Sequence, residues 1–234
     1  MPATLYAIPT PLGGAPADAL PQPALQTIRA LRDFVVENEK SARAFLAAVE
    51  MPCTLRAVSM QRLDEHTLEP DIPALLAPLR QGRPLGLLSE AGCPAIADPG
   101  AALIAAAHDE AFRVVPLIGP SAIVLALMAS GLEGQRFAFC GYLPREAGER
   151  ERRIRELERR SRAERETEIF IETPYRSDAL MSALLLACGG STRLCVASEL
   201  SLPGESIVLR RVEQWRRAAP SIGRRPTVFL LQAG

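Results

Sequence analysis

The sequence predicts an α/β protein with two α/β domains, a mainly parallel sheet in the N-terminal domain and a mixed sheet in the C-terminal one. In the first half, short apolar runs alternate with apolar helical segments, a pattern typical of a parallel sheet with covered faces. In the last third, several β-type runs follow each other through short links, which favours antiparallel pairing. The stretch Ile118–Ser121 separates the two patterns, so we expect domains at residues 1–118 and 119–234.

The elements of the first half follow from apolar runs bounded by turn residues, which predict strands, and from apolar residues at helical spacing, which predict helices. In chain order the predicted strands are Leu5–Ile8, Phe34–Val36, Thr54–Val58, Leu85–Leu88 and Arg113–Pro116. The predicted helices are Pro23–Arg32, Ser41–Val49, Ile72–Leu79, Ala101–Ala107 and Ala122–Ser130.

The same criteria place the elements of the second half. The predicted strands are Phe137–Gly141, Thr167–Glu172, Arg193–Ser198, Ser206–Val212 and Thr227–Leu231. The predicted helices are Ser177–Cys188, which Gly189 and Gly190 end, and the short piece Glu213–Arg217 with the only tryptophan.

The segment Arg145–Glu166 is rich in charge, with nine arginines and seven glutamates. Opposite charges four positions apart stabilise a solvated helix, which explains the segment without a ligand. The alternative is an RNA-facing surface, because the arginines exceed their local acidic partners. The expected ion pairs are Glu149–Arg153, Glu151–Arg155 and Glu156–Arg160, and the alternative surface consists of Arg152, Arg153, Arg159 and Arg160.

Composition and charge exclude several classes of function. The formal net charge is zero, so there is no overall basic field for nucleic acid and any RNA contact must be local. Five cysteines without a CxxC pair and two isolated histidines favour neither a disulfide framework, a metal site nor a Ser/His triad. Because we find no apolar run of about 18 residues and no basic leader, we expect a cytoplasmic protein without a membrane segment.

Loops rich in glycine and proline follow three predicted strands, beginning at Pro9, Ser89 and Leu117. In a parallel sheet, ligands bind in the crevice outside the carboxyl ends of the strands. The polar residues Glu37–Ser41 follow a further strand, where they either join this crevice or form a solvated loop. The sequence therefore predicts a ligand site at one edge of the N-terminal sheet.

Five motifs, in this order, resemble those of the tetrapyrrole methylase family, the S-adenosylmethionine-dependent methyltransferases built from two α/β domains with the cofactor in the cleft between them. The motifs are Pro9–Gly13, Ser89–Gly100, Pro116–Ala122, Gly141–Arg145 and Glu172–Arg176. Within the family they are most similar to a group that methylates the ribose 2′-oxygen of a cytidine in 16S ribosomal RNA. The resemblance implies a homodimeric methyltransferase with RNA as its methyl acceptor.

The resemblance and the topology together assign the cofactor-binding residues, whose backbone groups and small side chains allow close approach. They are Pro11, Ser89, Glu90, Ala91, Gly92, Pro94, Ala97, Asp98, Gly119, Pro120, Ser121 and Ala122. For Asp98, capping of the helix after Pro99 is an alternative role.

Methyl transfer to a hydroxyl needs removal of the acceptor proton, and a base or a cation near the developing alkoxide assists it. The candidates are Glu37, Lys40, Tyr175 and Arg176. Two of them have alternative roles, because Arg176 can pair with Glu172 and Lys40 can be solvated. Metal ions are not required for this chemistry.

Departures from the RNA-methylating group keep other functions open. Tyr175 stands where that group has a histidine and Glu90 where it has an aspartate, and the loop Glu199–Glu205 is less basic. The alternatives are a methyltransferase of the same family with a small-molecule or other acceptor, and a non-catalytic S-adenosylmethionine-binding protein. A nicotinamide-dependent oxidoreductase is disfavoured, because Pro9–Gly14 has prolines where GxGxxG needs glycines.

Overall fold

A computed structural model describes residues 3–234. The chain divides into two compact units, of which the first ends at Ser121 and the second runs from Ala122 to Gly234. Within residues 3–234, no helix combines the length and apolar character needed to cross a membrane.

The first unit contains one five-stranded sheet whose strands are all parallel. The strands are β1 (Thr4–Ile8), β2 (Asp33–Val36), β3 (Ser59–Arg62), β4 (Leu85–Leu88) and β5 (Arg113–Pro116), in the spatial order β3-β2-β4-β1-β5. The central strands β4 and β2 are buried along their whole length, which is what covered faces require. The predicted parallel N-terminal sheet is confirmed.

The helices of this unit pack two apolar clusters against the sheet, one around Phe34 and Ile28 and the other around Leu76 and Leu103. The helices are α1 (Pro16–Ala19), α2 (Gln22–Ala30), α3 (Glu39–Ala48), α4 (Ala77–Arg80) and α5 (Gly100–Asp109). Short 3-10 segments occupy Leu55–Ala57 and Glu69–Leu76.

Two element predictions in this unit are wrong. The predicted strand Thr54–Val58 contains a 3-10 turn, and β3 begins one residue later, at Ser59, whose N–H donates to the Arg32 carbonyl at 2.8 Å. This edge strand is partly exposed and has one apolar residue among its four, Met60, so its apolar pattern is too weak to predict a strand. The predicted helix Ile72–Leu79 is mostly 3-10, because Pro73 lies inside it and has no N–H for a regular helix.

The second unit contains a mixed five-stranded sheet. Its strands are β6 (Phe137–Tyr142), β7 (Thr167–Ile171), β8 (Arg193–Ser198), β9 (Ser206–Arg211) and β10 (Thr227–Gln232), in the order β6-β7-β10-β8-β9. Strands β6 and β7 are parallel and the other neighbours are antiparallel, which confirms the predicted mixed sheet. The helices are α6 (Ala122–Ser130), α7 (Ala147–Glu164), α8 (Ser177–Ala187) and α9 (Val212–Arg217), with a 3-10 turn at Pro174–Arg176.

Helix α7 confirms the predicted charged helix but not all of its ion pairs. Arg155 pairs with Glu151 at 3.2 Å as expected. Arg153 pairs instead with Glu156, and Arg160 turns to strand β7, where it forms two hydrogen bonds with the fully buried carboxylate of Glu168. A buried carboxylate needs a partner far more than a solvated one does, so the tertiary pair prevails over the helical pair.

Candidate functional site

Four loops lie side by side at one edge of the first sheet. Strand β4 lies between β2 and β1, β1 is also paired with β5, and all four strands point the same way. The loops at their carboxyl ends begin at Pro9, Glu37, Ser89 and Leu117. Nearly all of the residues predicted to bind cofactor therefore share this edge with Glu37.

The first and second of the five sequence motifs are joined through the backbone. The Thr10 N–H donates to the Gly92 carbonyl at 2.9 Å, and the Gly92 N–H donates back to the Thr10 carbonyl at 3.0 Å. The Ser89 hydroxyl donates to the same Gly92 carbonyl at 3.0 Å. These contacts fix the two loops relative to each other. Thr10 lies within a motif but was not among the predicted site residues.

The loop after β4 has an unusual backbone. Gly92, Ala95 and Ala97 all have left-handed φ values, of 77°, 65° and 64°. For alanine this conformation costs about 1 kcal/mol or more, and such strain persists at functional sites when the surroundings enforce it. Asp98 provides part of that enforcement, because its Oδ1 accepts hydrogen bonds from the N–H groups of Ala95 at 2.7 Å and Gly100 at 2.8 Å. Asp98 thus bonds the first residue of α5, Gly100, from a position before the helix, whose N-cap residue is Pro99.

The third motif packs directly on the first. A Cβ atom on Gly119 would lie 2.4 Å from the Cβ of Pro9 and 2.9 Å from a Leu20 methyl group. The Leu117 N–H donates to the Ala7 carbonyl at 2.9 Å, and the Cys93 thiol donates to the Pro120 carbonyl at 3.4 Å. The need for glycine at 119 is thus explained by packing against Pro9, without reference to a ligand.

Three carboxylates give this edge a negative charge. Glu37 is half-buried, and burial raises the pKa of its carboxyl group above the ordinary value, with the charges of Glu90 and Asp98 raising it further. Burial likewise raises the pKa of Asp98, against the effect of its two backbone hydrogen bonds. Glu90 accepts a hydrogen bond from the Ser41 hydroxyl at 3.1 Å. Glu37 and Asp98 also line a common recess of about 10 Å³, roughly the space of one water molecule.

Lys40 lies in the first turn of α3 and is exposed. The helix is capped by Asn38, whose Oδ1 accepts a hydrogen bond from the Lys40 N–H at 2.9 Å. This cap accounts for part of the polar stretch Glu37–Ser41 that follows β2. The exposure of Lys40 agrees with the alternative role given above, in which its side chain is solvated.

The remaining predicted residues, Ala122, Tyr175 and Arg176, belong to the second unit. Ala122 is the first residue of α6. Arg176 forms an ion pair with the buried carboxylate of Glu172, as the alternative interpretation predicted. Tyr175 is 77% exposed, and its ring lies 4.9 Å from the guanidinium carbon of Arg224.

A metal site is not formed by the described residues. Among residues 3–234, no group of three or more His, Cys, Asp or Glu side chains has the arrangement needed to hold a metal ion.

Two curated relatives match most of the chain. Ribosomal RNA small subunit methyltransferase I of Mesorhizobium japonicum is 35% identical over 197 residues, which is 84% of this chain and 63% of the relative. The protein of the same name from Halalkalibacterium halodurans is 30% identical over 219 residues, 92% of this chain and 72% of the relative. The chain belongs to the ribosomal RNA small subunit methyltransferase I family. It spans slightly less than two thirds of the first relative's length.

No protein-family model matches the chain. Among solved structures, the methyltransferase CobJ gives a TM-score of 0.66 at 17% identity, covering 99% of this chain and 95% of that one. A cobalt precorrin-4 methyltransferase gives a TM-score of 0.61 at 16% identity, covering 98% and 94%. At these identities the similarity concerns the fold alone, and it confirms the predicted tetrapyrrole methylase type of fold.

Proposed function

We propose that the protein is an S-adenosylmethionine-dependent methyltransferase that methylates a ribose 2′-oxygen of 16S ribosomal RNA. The observation that carries the proposal is the convergence of three motif loops and Glu37 at one edge of the first sheet. The named relatives act on small-subunit ribosomal RNA, and this supports RNA as the acceptor.

The residues at this edge fit the proposed cofactor electrostatically. S-adenosylmethionine has a positive sulfonium and a positive ammonium group, and Glu37, Glu90 and Asp98 bring negative charges together. Burial raises the pKa of Glu37, and repulsion from Glu90 and Asp98 raises it further, so a cationic ligand would be favoured there. When bound, the cofactor supplies a methyl group that is already a strong electrophile.

The residues of the chain then have three tasks. The paired backbones at Thr10 and Gly92 and the hydrogen-bonded Asp98 hold the loops in a preorganised shape. We assign Glu37 as the general base that accepts the proton of the ribose hydroxyl, because its raised pKa brings it closer to the operating pH than an ordinary glutamate. Tyr175 and Lys40, both exposed, remain candidates for contact with the acceptor.

Arg176 is proposed as a positioning residue for the Tyr175 turn. Its guanidinium is bonded to Glu172, whose Oε1 also accepts the Thr173 N–H at 2.7 Å. These bonds tie both ends of the turn to the end of β7. An acceptor contact through Tyr175 would therefore depend on the ion pair.

The proposal is tested by methyl transfer from labelled S-adenosylmethionine to small ribosomal subunits, to free 16S RNA and to the small-molecule fraction of a cell extract. We expect label in the RNA, at a ribose 2′-oxygen of a cytidine. Label in the small-molecule fraction alone would refute RNA as the acceptor. Binding of the cofactor without transfer to any fraction would refute the enzymatic function.

The proposal includes a homodimer acting in the cytoplasm, where ribosomal RNA is found. Exposed apolar side chains on the second unit support self-association: Met128 is 76% exposed and Val124, one turn earlier on α6, is 54% exposed. Sedimentation equilibrium of the wild type and of Met128→Glu tests the dimer. A wild-type protein that stays monomeric at micromolar concentration would contradict it.

A further inference from the structure

The end of the second unit carries a strong local positive charge that the zero net charge of the chain conceals. The segment Arg210–Arg225 contains six arginines and one acidic residue, Glu213. It includes the end of β9, helix α9 and the loop that leads to β10. A basic segment of this kind is an electrostatic footprint for an anionic ligand.

A pocket of about 300 Å³ lies within this segment. Its floor is a face of the sheet, where Val196 and Ser198 of β8 pair with Val208 and Ser206 of β9. Trp215, Arg210 and Arg225 are among the other lining residues, and none of the residues found to line it is acidic. The volume is at the lower end of pockets that hold small molecules, about 300 to 1,000 Å³, so it suits a single nucleotide.

Arginines stack on aromatic rings at two places in this region. The guanidinium carbon of Arg210 lies 4.8 Å from the centre of the Trp215 ring, at the pocket, and that of Arg224 lies 4.9 Å from the centre of the exposed Tyr175 ring. Unpaired RNA bases stack on guanidinium planes and aromatic rings, and arginines also attract phosphates. The Trp215 ring is itself buried, so the accessible stacking surfaces here are the exposed Arg210 guanidinium and the exposed Tyr175 ring.

The loop that closes the pocket is held in place by hydrogen bonds. Asp178 accepts the Ile222 N–H at 2.7 Å and the Gly223 N–H at 3.1 Å, and Ile222 is buried. The Trp215 indole N–H donates to the Leu194 carbonyl at 2.9 Å. Both carboxylate oxygens of Asp178, the acidic side chain that contacts the loop, thus accept hydrogen bonds from the loop backbone. These hydrogen bonds fix the loop that lines the pocket.

The pocket lies at the same edge of the sheet as the Tyr175 turn. Strands β7 and β8 both run antiparallel to β10, so their carboxyl ends, at Ile171 and Ser198, share one edge. The contact between Tyr175 and Arg224 joins that turn to the basic segment. From these observations we propose that the pocket binds one unpaired nucleotide of the RNA strand that the enzyme modifies. This inference rests on the proposed function and adds a second binding point for the same RNA.

The inference is tested by the binding of a short fluorescent single-stranded RNA to the full chain, followed by anisotropy. Arg210→Gln removes the stacked cation at the pocket, and Ser206→Phe fills the pocket without changing charge. Arg155→Gln is the matched control, because it removes one arginine of the same unit from the exposed α7 surface. Calorimetric titration of each variant with S-adenosylmethionine reports the fold and the cofactor site separately.

We expect Arg210→Gln and Ser206→Phe each to weaken RNA binding about 5-fold or more, the effect of losing one stacked base. The control should change it less than about 2-fold, as expected for an exposed ion pair. Arg210→Gln should also lower the slope of log affinity against log salt by about 0.7 for each phosphate that Arg210 neutralises, whereas Ser206→Phe should keep the slope. In methyl transfer, both pocket variants should raise KM for RNA and leave kcat unchanged.

The outcomes separate this inference from the proposed function. Three results would overturn the inference. In the first, both pocket variants bind RNA as tightly as wild type; in the second, the control loses as much affinity as they do. In the third, the wild-type protein binds S-adenosylmethionine but not RNA. A different result would refute only the proposed activity: the wild-type protein binds RNA but transfers no methyl group to it, and the pocket variants lose RNA binding. That result would still support the pocket as an RNA-binding site.

Discussion

Replacing Gly119 by alanine tests how the first and third motif loops are held together. The new Cβ atom would lie 2.4 Å from the Pro9 Cβ and 2.8 Å from its Cγ, whereas carbon atoms in contact are ordinarily about 3.5 to 4.0 Å apart. A proline ring cannot rotate away, so the backbone must move by about 1 Å. Overpacking of this kind costs about 1 to 3 kcal/mol, which corresponds to a fall in Tm of about 2 to 12 °C for a chain of this size.

The same displacement should weaken cofactor binding. Pro9 precedes Thr10, whose N–H and carbonyl pair with Gly92, so a shift of Pro9 disturbs that pairing. Weakening by about one hydrogen bond predicts an affinity for S-adenosylmethionine about 10-fold lower. Gly134→Ala is the matched control, because a Cβ there meets no atom within 4 Å. Wild-type Tm and wild-type affinity in Gly119→Ala would refute this explanation of how the loops are held.

Three further variants test other parts of the molecule. Glu37→Gln should lower methyl transfer about 100-fold or more even at concentrations of S-adenosylmethionine that saturate its weakened binding; a wild-type rate would exclude Glu37 as the base. The pKa of Glu37 is raised in the folded state, so ionisation of this carboxyl group destabilises the fold as pH rises above the ordinary value of 4.5. Glu37→Gln cannot ionise. It should therefore unfold at a higher urea concentration than wild type at pH 8, and at the same concentration at pH 4. Arg160→Met should lower the free energy of unfolding in urea by about 3 to 5 kcal/mol, because it leaves the buried carboxylate of Glu168 without its ion pair. Adding Glu168→Gln should restore most of this stability. An unchanged free energy of unfolding in Arg160→Met would contradict the role of the pair. Asp98→Ala should cost about 0.5 to 2 kcal/mol, with partial recovery in Asp98→Asn, which keeps an acceptor oxygen; equal stability of all three proteins would contradict its role in the loop.

Most strands and helices, and the parallel or mixed character of each sheet, were predictable from local sequence signals, whereas the strand order was not predicted. Apolar runs such as Leu85–Leu88 are followed by loops that contain glycine and proline, and these residues mark the strand ends in the sequence. The edge strand β3 escaped prediction because Met60 is the one apolar side chain among its four residues, and the strand is partly exposed. Its position depends mainly on its parallel pairing with β2.

The interactions within the site were less predictable because they join residues distant in sequence. Glu37, Glu90 and Asp98 are ordinary carboxylates in the sequence, and only the parallel order of β2 and β4 brings their charges together. Similarly, the choice of Arg160 for Glu168 depends on the burial of that carboxylate on a neighbouring strand. Spacing along a helix contains no information about such a partner.

The most direct test of the proposed cofactor site is a calorimetric titration of the purified protein with S-adenosylmethionine and, separately, with S-adenosylhomocysteine. We predict that both bind, and that the cationic S-adenosylmethionine loses affinity in Glu37→Gln more than the uncharged sulfur of S-adenosylhomocysteine does. Absence of binding by either compound would contradict the cofactor site at the edge of the first sheet. Equal losses for both compounds would contradict the role of Glu37's charge.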